Sequence, residues 1–285
     1  MSLPAPAHYF PVKDGPLRME AGLLRHGTDF GNGAVDELFF QVDSELERYL
    51  AAKRAVPATR HAQLARDDAE RAIHSAVLAW LRDTLAREHP VQYAALGASA
   101  APTGYAQLAS VLQEDLVVLR RLPDGGSSAI AVHVCAPSGW RPERIHGASF
   151  GAIHDPVPAF AKDPRAERSM VDAMVERGPY VRFVWTVTAD ANLDHHPEEG
   201  RHEPWHRDRS GFLRVERQTT VPFTAQQASL FLIRTYLTPF ADLTPAERAT
   251  LARAIAVMPA PVAAYKGLDG IAATILEVLR HSGPT

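Results

Sequence analysis

The sequence predicts an α+β fold in which an antiparallel sheet of about five strands is flanked by N- and C-terminal helices. Three observations lead to this prediction. Helical patterns fill the first third of the chain and return at its end. Short apolar patterns typical of strands fill the middle. These strands come as a group of two, then two helical segments, then a group of three, with connections compatible with antiparallel pairing.

Two helices are predicted in the first third of the chain. From Ala34, apolar residues at positions 38, 42, 46 and 49 form one helical stripe, which Pro57 ends. A longer amphipathic pattern runs from about Arg60 to Glu88, and its charged residues mark a solvated face. The first 33 residues are irregular, and residues 90–112 are ambiguous. Because the two helices dominate this region, we expect a helical layer over residues 1–112.

A strand pair and two helices are predicted next. Strands from Leu116 to Leu122 and from Ala129 to Cys135 flank the turn sequence PDGG at 123–126. A short helical pattern runs from 145 to His154, and the prolines at 156 and 158 cannot continue it. An amphipathic helix over 165–177 ends at the Gly-Pro pair that follows.

Three strands and two helices complete the prediction. The strands cover residues 180–188, 211–221 and 229–238. Thr244 and Glu247 form a capping box with Pro245 at the first helical position, which begins a helix to about residue 257. A last helix covers roughly 261–281. With no internal repeat or long linker, we predict a single domain comprising the helical layer, a sheet core over 113–240 and C-terminal helices over 241–285.

Composition excludes several classes of function. The chain has 285 residues, 46% of them hydrophobic and 22% charged, as in ordinary globular proteins. A net charge of -3 offers no basic field for nucleic acid or an anionic membrane. The single cysteine, Cys135, allows no internal disulfide. No apolar run approaches the roughly 18 residues of a membrane span, and the first ten residues do not resemble a signal peptide. We therefore expect a cytoplasmic protein.

His154 is the first candidate for a chemical role. It closes a short helix, and Phe150 lies one turn earlier on the same face. An imidazole held beside an apolar ring is suited to axial ligation of a flat cofactor such as haem. A histidine at a helix end is also a common partner of the helix dipole or a core residue. Cys135 as a thiolate ligand is a further alternative, although a strand-end cysteine without a neighbouring cation usually acts as a small hydrophobe.

Polar side chains alternate along the last two strands. In the stretch LRVERQT, residues 214, 216 and 218 project to one face, and residues 213, 215 and 217 to the other. Arg234 and Tyr236 share a face of the following strand. If the strands pair, we expect Glu216 close to Arg234. The two would form either an ion pair on a solvated face or part of a polar pocket. In a pocket, the carboxylate could hold a cationic substrate.

A polar loop between the strands at 180–188 and 211–221 carries many side chains of metal-ligand type. Two of its histidines are four residues apart, but two prolines and a glycine break any helix that would aim both at one ion. We expect a flexible surface loop, and a non-haem metal hydrolase is the alternative that this loop leaves open. The side chains concerned are Asp194, His195, His196, Glu198, Glu199, His202, His206 and Asp208.

Six stretches together resemble a known family. They are TDFGNGAVDELFFQVD (28–43), QEDLVVL (113–119), HVCAPSGWRPE (133–143), IHDPVP (153–158), LRVERQT (213–219) and IRTYLTPF (233–240). In this order they resemble the family of the α subunit of haem-dependent oxidative N-demethylase. The succession of strands and helices is also similar to that of haem-binding PAS domains, a likeness of fold that does not by itself establish a function.

The resemblance implies a b-type haem in a PAS-like core. It implies reductive activation of dioxygen and oxidation of a secondary amine such as dimethylamine at its N-methyl carbon, with release of formaldehyde. Electrons would come from NADPH through separate flavin and iron–sulfur components. This chain has no dinucleotide fingerprint or cysteine cluster of its own, which fits such a division of labour. The implied partners are the amine, dioxygen and separate reductase subunits, not nucleic acid or a membrane.

The resemblance also suggests the residues that hold the cofactor. His154, in the IHDPVP match, is the expected axial ligand of the iron, and His133, in the HVCAPSGW match, is the second choice. Phe150, Trp140 and Arg217 are the expected further contacts of the haem.

Catalytic roles are expected for Glu216, Arg234 and Tyr236, which lie in the two strand motifs. These roles are inferred from chemistry: an aminium substrate must be bound and must lose a proton before oxidation, and a carboxylate serves both needs. A haem or small-ligand sensor of the same fold, with a histidine ligand but no turnover, is the alternative function.

Overall fold

The computed structural model describes residues 3–15, 21–96, 104–158, 164–207 and 210–282. It confirms the α+β class, because helices surround one sheet of seven antiparallel strands in these residues. The prediction of about five strands omitted β1 (Leu24–Arg25) and β2 (Ala62–Gln63), which pair with the edges of the sheet. Two residues are too few to show an alternating pattern, so neither strand could be recognised from the sequence.

The five long strands are those that the sequence predicted. Across the sheet, the strands lie in the order β1-β5-β6-β7-β3-β4-β2. The first long strand therefore pairs with the last one in the middle of the sheet. Their bounds are β3 (Asp115–Arg121), β4 (Ser127–His133), β5 (Tyr180–Thr188), β6 (Phe212–Phe223) and β7 (Ala228–Pro239).

Helix α1 (Leu46–Ala55) begins twelve residues later than predicted. Only a short 3₁₀ helix, Gly33–Glu37, occupies the start of the predicted helix. The segment after it is held by tertiary hydrogen bonds instead. The N–H of Gln41 donates to the carboxylate of Glu114 at 2.7 Å, and the N–H of Asp43 donates to the side chain of residue 113 at 2.8 Å. These bonds replace the helical ones, so periodicity alone was misleading here.

Helix α2 (Asp68–Glu88) also begins later than predicted, because residues 62–63 pair with β4 as a strand. Asp67 caps its first turn by accepting a hydrogen bond from the N–H of Glu70. Helices α3 (Pro90–Ala95) and α4 (Tyr105–Ala109) lie in the segment that was ambiguous from sequence.

Helices α5 (Phe150–His154) and α6 (Pro164–Glu176) connect β4 to β5 and pack on one face of the sheet, which we call the α5 face. Phe150 packs with Leu119 of β3, with Val171 of α6 and with the partly buried Phe231 of β7. Helix α5 is shorter than predicted, since residues 142–145 form a separate 3₁₀ turn.

The C-terminal helices are α7 (Pro245–Ala256), α8 (Ala260–Tyr265) and α9 (Ala272–His281). The predicted capping box at Thr244 and Glu247 is confirmed. The single helix predicted over 261–281 is two helices, because Gly267 and Gly270 adopt positive φ angles of 68° and 73° between them.

Apolar packing closes much of the face of the sheet opposite α5. Helix α2 covers β3 and one end of β7, and helices α7 and α9 cover β5 and β6. In the part of the chain that the structure describes, no helix is both long and apolar enough to cross a membrane.

Candidate functional site

The α5 face carries a region that the helices cover only in part, and we call it the sheet patch. Adjacent strands lie about 4.8 Å apart, so three strands make a surface about 10 Å wide, comparable to a flat macrocycle. Most residues of the same strands that point to the opposite face are fully buried. The half-buried residues of the sheet patch are Arg182, Val184 and Thr186 of β5, Glu216 and Gln218 of β6, and Phe231 and Ile233 of β7.

One border of the sheet patch is apolar. Trp140 and Ile153 are half-buried and pack, together with Phe231, against a cluster that contains Val117 and Val132 on the same face. Trp140 therefore lies on the α5 face.

His154 lies at the end of α5. Its Nδ1 is 2.8 Å from the carbonyl oxygen of Phe150, and the two rings are 4.1 Å apart at an angle of 37°. When Nδ1–H donates to that carbonyl, the lone pair of the imidazole is on Nε2. Burial lowers the pKa of His154, with a smaller contribution from Arg182, while the bond to Phe150 opposes the change. The imidazole is therefore neutral near pH 7, which is the form that ligates metals.

Glu216 is the carboxylate of the sheet patch. Its Oε1 accepts a hydrogen bond from Ser138 Oγ at 2.6 Å, and its Oε2 accepts one from Gln218 Nε2 at 2.9 Å. Ser138 in turn accepts a hydrogen bond from Arg214 Nε at 2.7 Å. The orientation of the carboxylate is thus fixed by neighbours on two elements.

Arg214 holds two loops over the end of the α5 face. Its guanidinium is fully buried and donates to the carbonyl oxygens of Ala136, Leu193 and Asn192 at 2.8, 3.0 and 3.2 Å. The loops around 136–138 and 192–193 are therefore tied to β6, and Ser138 is held beside Glu216.

Two polar atoms of β5 on the α5 face are buried and have no hydrogen-bond partner among the residues that the structure describes. They are Nε of Arg182 and Oγ1 of Thr186. Burial lowers the pKa of Arg182, and the charge of Glu216 opposes this change. An unsatisfied buried donor costs about 1–3 kcal/mol, which an acidic group bound at the sheet patch would remove. Sequence reasoning singled out neither Arg182 nor Ser138. Alternation along β5 was the only signal for Arg182.

The structure places three predicted site residues on the opposite face. In the register of β6 and β7, Arg217 pairs with Arg234 and Glu216 pairs with Thr235. Tyr236 shares the face of Arg234. The prediction that Glu216 lies close to Arg234 is therefore wrong, because directly paired residues share a face and their neighbours along the strand point away.

These three residues bind the segment 38–43 to the sheet. Arg234 donates to Asp43 at 2.7 Å, and its guanidinium lies 3.9 Å from the ring centroid of Tyr49 and 4.5 Å from that of Tyr236. The hydroxyl of Tyr236 donates to the side chain of residue 41, and Arg217 donates to the carbonyl of residue 38. All three are buried.

His133 contacts His61 and lies close to Cys135. Its ring stacks on that of His61 with centroids 3.9 Å apart, and its Nδ1 is 3.9 Å from Sγ of Cys135. Burial lowers the pKa of His133 to about 3. Sequence reasoning missed His61, because only the pairing of β2 with β4 brings it to this place.

The histidine-rich loop is anchored by polar contacts over its first part, and the prediction of a surface loop is wrong there because His195 and His196 are buried. Arg60 donates to both carboxylate oxygens of Asp194 at 2.9 Å and to Glu199 at 2.9 Å. His195 lies 3.1 Å from Asp190, and His196 is 1% exposed. In the described part of the loop, no three ligand-type side chains meet closely enough to hold an ion. Asp208 lies outside the described residues.

The sequence also matches the model of a known protein family. Residues 33–276 match the model of the family described as haem-dependent oxidative N-demethylase, alpha subunit-like. The matched region includes the whole of the sheet patch together with α5.

Proposed function

Because the chain belongs to the haem-dependent oxidative N-demethylase alpha subunit-like family, we propose that it binds a b-type haem at the sheet patch and catalyses oxidative N-demethylation of a secondary amine such as dimethylamine. Formaldehyde is the second product. The observation that carries the proposal is a neutral imidazole, His154, with Nδ1 engaged by a backbone carbonyl, on the helix that packs on a half-covered face.

The residues present fit a flat, amphipathic group. Val184, Phe231 and Ile233 offer apolar contact area, and Trp140 borders it. Nε of Arg182 finds no hydrogen-bond partner in the described part of the chain, which suits a carboxylate such as a haem propionate. Both helices between β4 and β5 pack on this face, which supports a PAS-like core within a single domain.

His154 would hold the iron through Nε2. The carbonyl of Phe150 fixes the tautomer and orientation of the ring, as outer partners of metal-bound histidines do. The ring of Phe150 packs against the imidazole and keeps water from it. When bound, haem supplies the reductive activation of dioxygen that oxidises the N-methyl carbon.

Glu216 would bind the ammonium form of the amine and accept its proton, since the nitrogen must be neutral before the carbon beside it is oxidised. Ser138 and Gln218 hold the two oxygens of this carboxylate in fixed directions, so it can receive a proton without rotating. Trp140 would limit the access of water from the apolar border.

In this proposal, Arg217, Arg234 and Tyr236 support the sheet from the other side and do not contact the amine. The proposal assigns the axial position to His154 and not to His133, whose ring stacks on that of His61. We propose that NADPH supplies electrons through separate flavin and iron–sulfur subunits in the cytoplasm.

One experiment separates an oxygenase from a sensor. The absorption spectrum of the purified protein is recorded before and after dithionite and carbon monoxide, and we expect a Soret band that shifts with each addition. An artificial reductant, oxygen and dimethylamine are then supplied, and formaldehyde is assayed. Haem without formaldehyde would favour the sensor, and a colourless protein that takes up no haemin would contradict both functions.

A further inference from the structure

A second group of ligand-type side chains lies at the end of β4. The group consists of His61, His133 and Cys135, and one nitrogen atom of each histidine and the sulfur of the cysteine all lie within 4.8 Å of one another. In the described part of the chain, these three side chains are the ones placed closely enough to hold an ion together. Two of the three come from the end of β4, and the pairing of β2 with that strand brings the third from more than 70 residues earlier.

We propose that His61, His133 and Cys135 form a binding site for a zinc ion or another borderline-soft divalent cation. Two imidazoles and one thiolate are typical ligands of Zn²⁺, which takes a fourth ligand to complete a tetrahedron. A cavity of about 10 Å³, the space of one water molecule, borders Cys135 together with Asp115 and Lys53.

The three side chains are in a suitable state for ligation. Nδ1 of His61 is buried and has no hydrogen-bond partner within the described ranges of the chain. Burial lowers the pKa of both His61 and His133, so their rings are neutral. Burial also raises the pKa of the Cys135 thiol, so binding would replace the thiol proton with the cation and release that proton to solvent.

Charged groups of both signs surround the site. The positive charges of Lys53 and Arg60 lie close enough to lower the pKa of His61. Arg60 is already paired with Asp194 and Glu199, and Nζ of Lys53 lies 3.7 Å from Asp115. Among the described residues, Oδ1 of Asp115 is buried and accepts no hydrogen bond. The charges of Asp115 and Asp194 both raise the pKa of the Cys135 thiol. When Cys135 loses its proton, the thiolate adds negative charge to these groups, and a divalent cation would neutralise it.

The two imidazole rings are parallel within 1° and stacked, so one ring must turn to aim its nitrogen at a shared ion. The bound ion would then fix the segment 58–63 to the end of β4. That strand leads directly into Pro137 and Ser138, and Ser138 holds Glu216. Zinc would thus stabilise the loop that orients the carboxylate of the sheet patch.

The test is a calorimetric titration of Zn²⁺ into the full-length protein after treatment with a chelator and dialysis. We expect one ion per chain. Cys135→Ser and His61→Gln should each weaken binding by about 100-fold or more, because loss of a direct ligand exceeds the effect of an outer partner. His206→Gln changes an exposed histidine of the loop and should bind as the wild type does.

Co²⁺ provides a measurement that needs no variant. Cobalt bound by a thiolate gives sulfur-to-metal charge-transfer bands, and the chain has a single cysteine, so such a band reports Cys135. Difference spectra against the Zn²⁺-loaded protein remove the absorbance of any haem. Three results would each overturn the proposal. They are a failure to bind one ion per chain, a cobalt complex without the sulfur band, and a loss of Zn²⁺ affinity in His206→Gln as large as that in the ligand variants.

Discussion

Glu216 and Arg217 are consecutive residues of β6, and their side chains lie on opposite faces of the sheet. Glu216 is half-buried and bonded to Ser138 on the α5 face. Arg217 is 1% exposed and bonded to the carbonyl of Leu38 on the other. One short stretch therefore contributes both to the candidate site and to the scaffold behind it. Substitutions at the two positions should separate chemistry from stability.

His154→Ala should abolish the binding of haem. The variant removes the one neutral imidazole on α5, and Phe150 would remain to fill the core. We expect the Soret band to disappear, or the haem content to fall by at least about tenfold. His202→Ala, on the polar loop, should retain the wild-type spectrum. An unchanged spectrum in His154→Ala would show that another residue is the axial ligand.

Glu216→Gln should retain haem and lose turnover. The amide keeps the shape of the carboxylate but can neither hold an ammonium group nor accept its proton. We expect the rate of formaldehyde formation to fall by about 100-fold or more, the usual contribution of a positioned base. Glu45→Gln alters an exposed carboxylate of an i,i+3 pair and should leave the rate unchanged. Similar rates in the two variants would remove Glu216 from the mechanism.

Arg234→Met should destabilise the protein without removing haem. It leaves Asp43 buried without its cation, and breaking a buried pair costs about 3–5 kcal/mol. Arg48→Met breaks an exposed pair and should cost less than about 1 kcal/mol. Urea unfolding measures both changes. A loss of turnover with normal stability in Arg234→Met would instead support the catalytic role that the sequence suggested.

The sequence predicted the five long strands because each is a short apolar pattern bounded by turn residues, and it predicted the contact between Phe150 and His154 because helix spacing places both on one face. It could not predict the register, so Glu216 and Arg234 were expected to be neighbours although they lie on opposite faces. Nor could it show that Gln41 bonds to the side chain of Glu114 instead of continuing a helix. Both errors concern contacts between segments far apart in the chain, which local patterns do not encode.

Acid should destabilise the fold partly through His26. Its ring stacks on Phe39 at 3.9 Å, and burial, followed by the charge of Arg217, lowers its pKa to about 4. The unfolded chain binds a proton at this residue below about pH 6.5, whereas the folded chain does so only near pH 4. The free energy of unfolding should therefore decrease as the pH falls from about 6.5 to about 4.

The variant His26→Gln isolates this contribution, because the carboxylates that also titrate in acid are the same in both proteins. Urea unfolding at several pH values between 7.5 and 4.5 should give a shallower loss of stability for His26→Gln than for the wild type. One proton changes the slope by at most about 1.4 kcal/mol per pH unit, and the partial exposure of His26 keeps the effect below that limit. His206→Gln, at an exposed position, should follow the wild-type curve. Parallel curves for His26→Gln and the wild type would show that this histidine is protonated equally in the folded and unfolded chains.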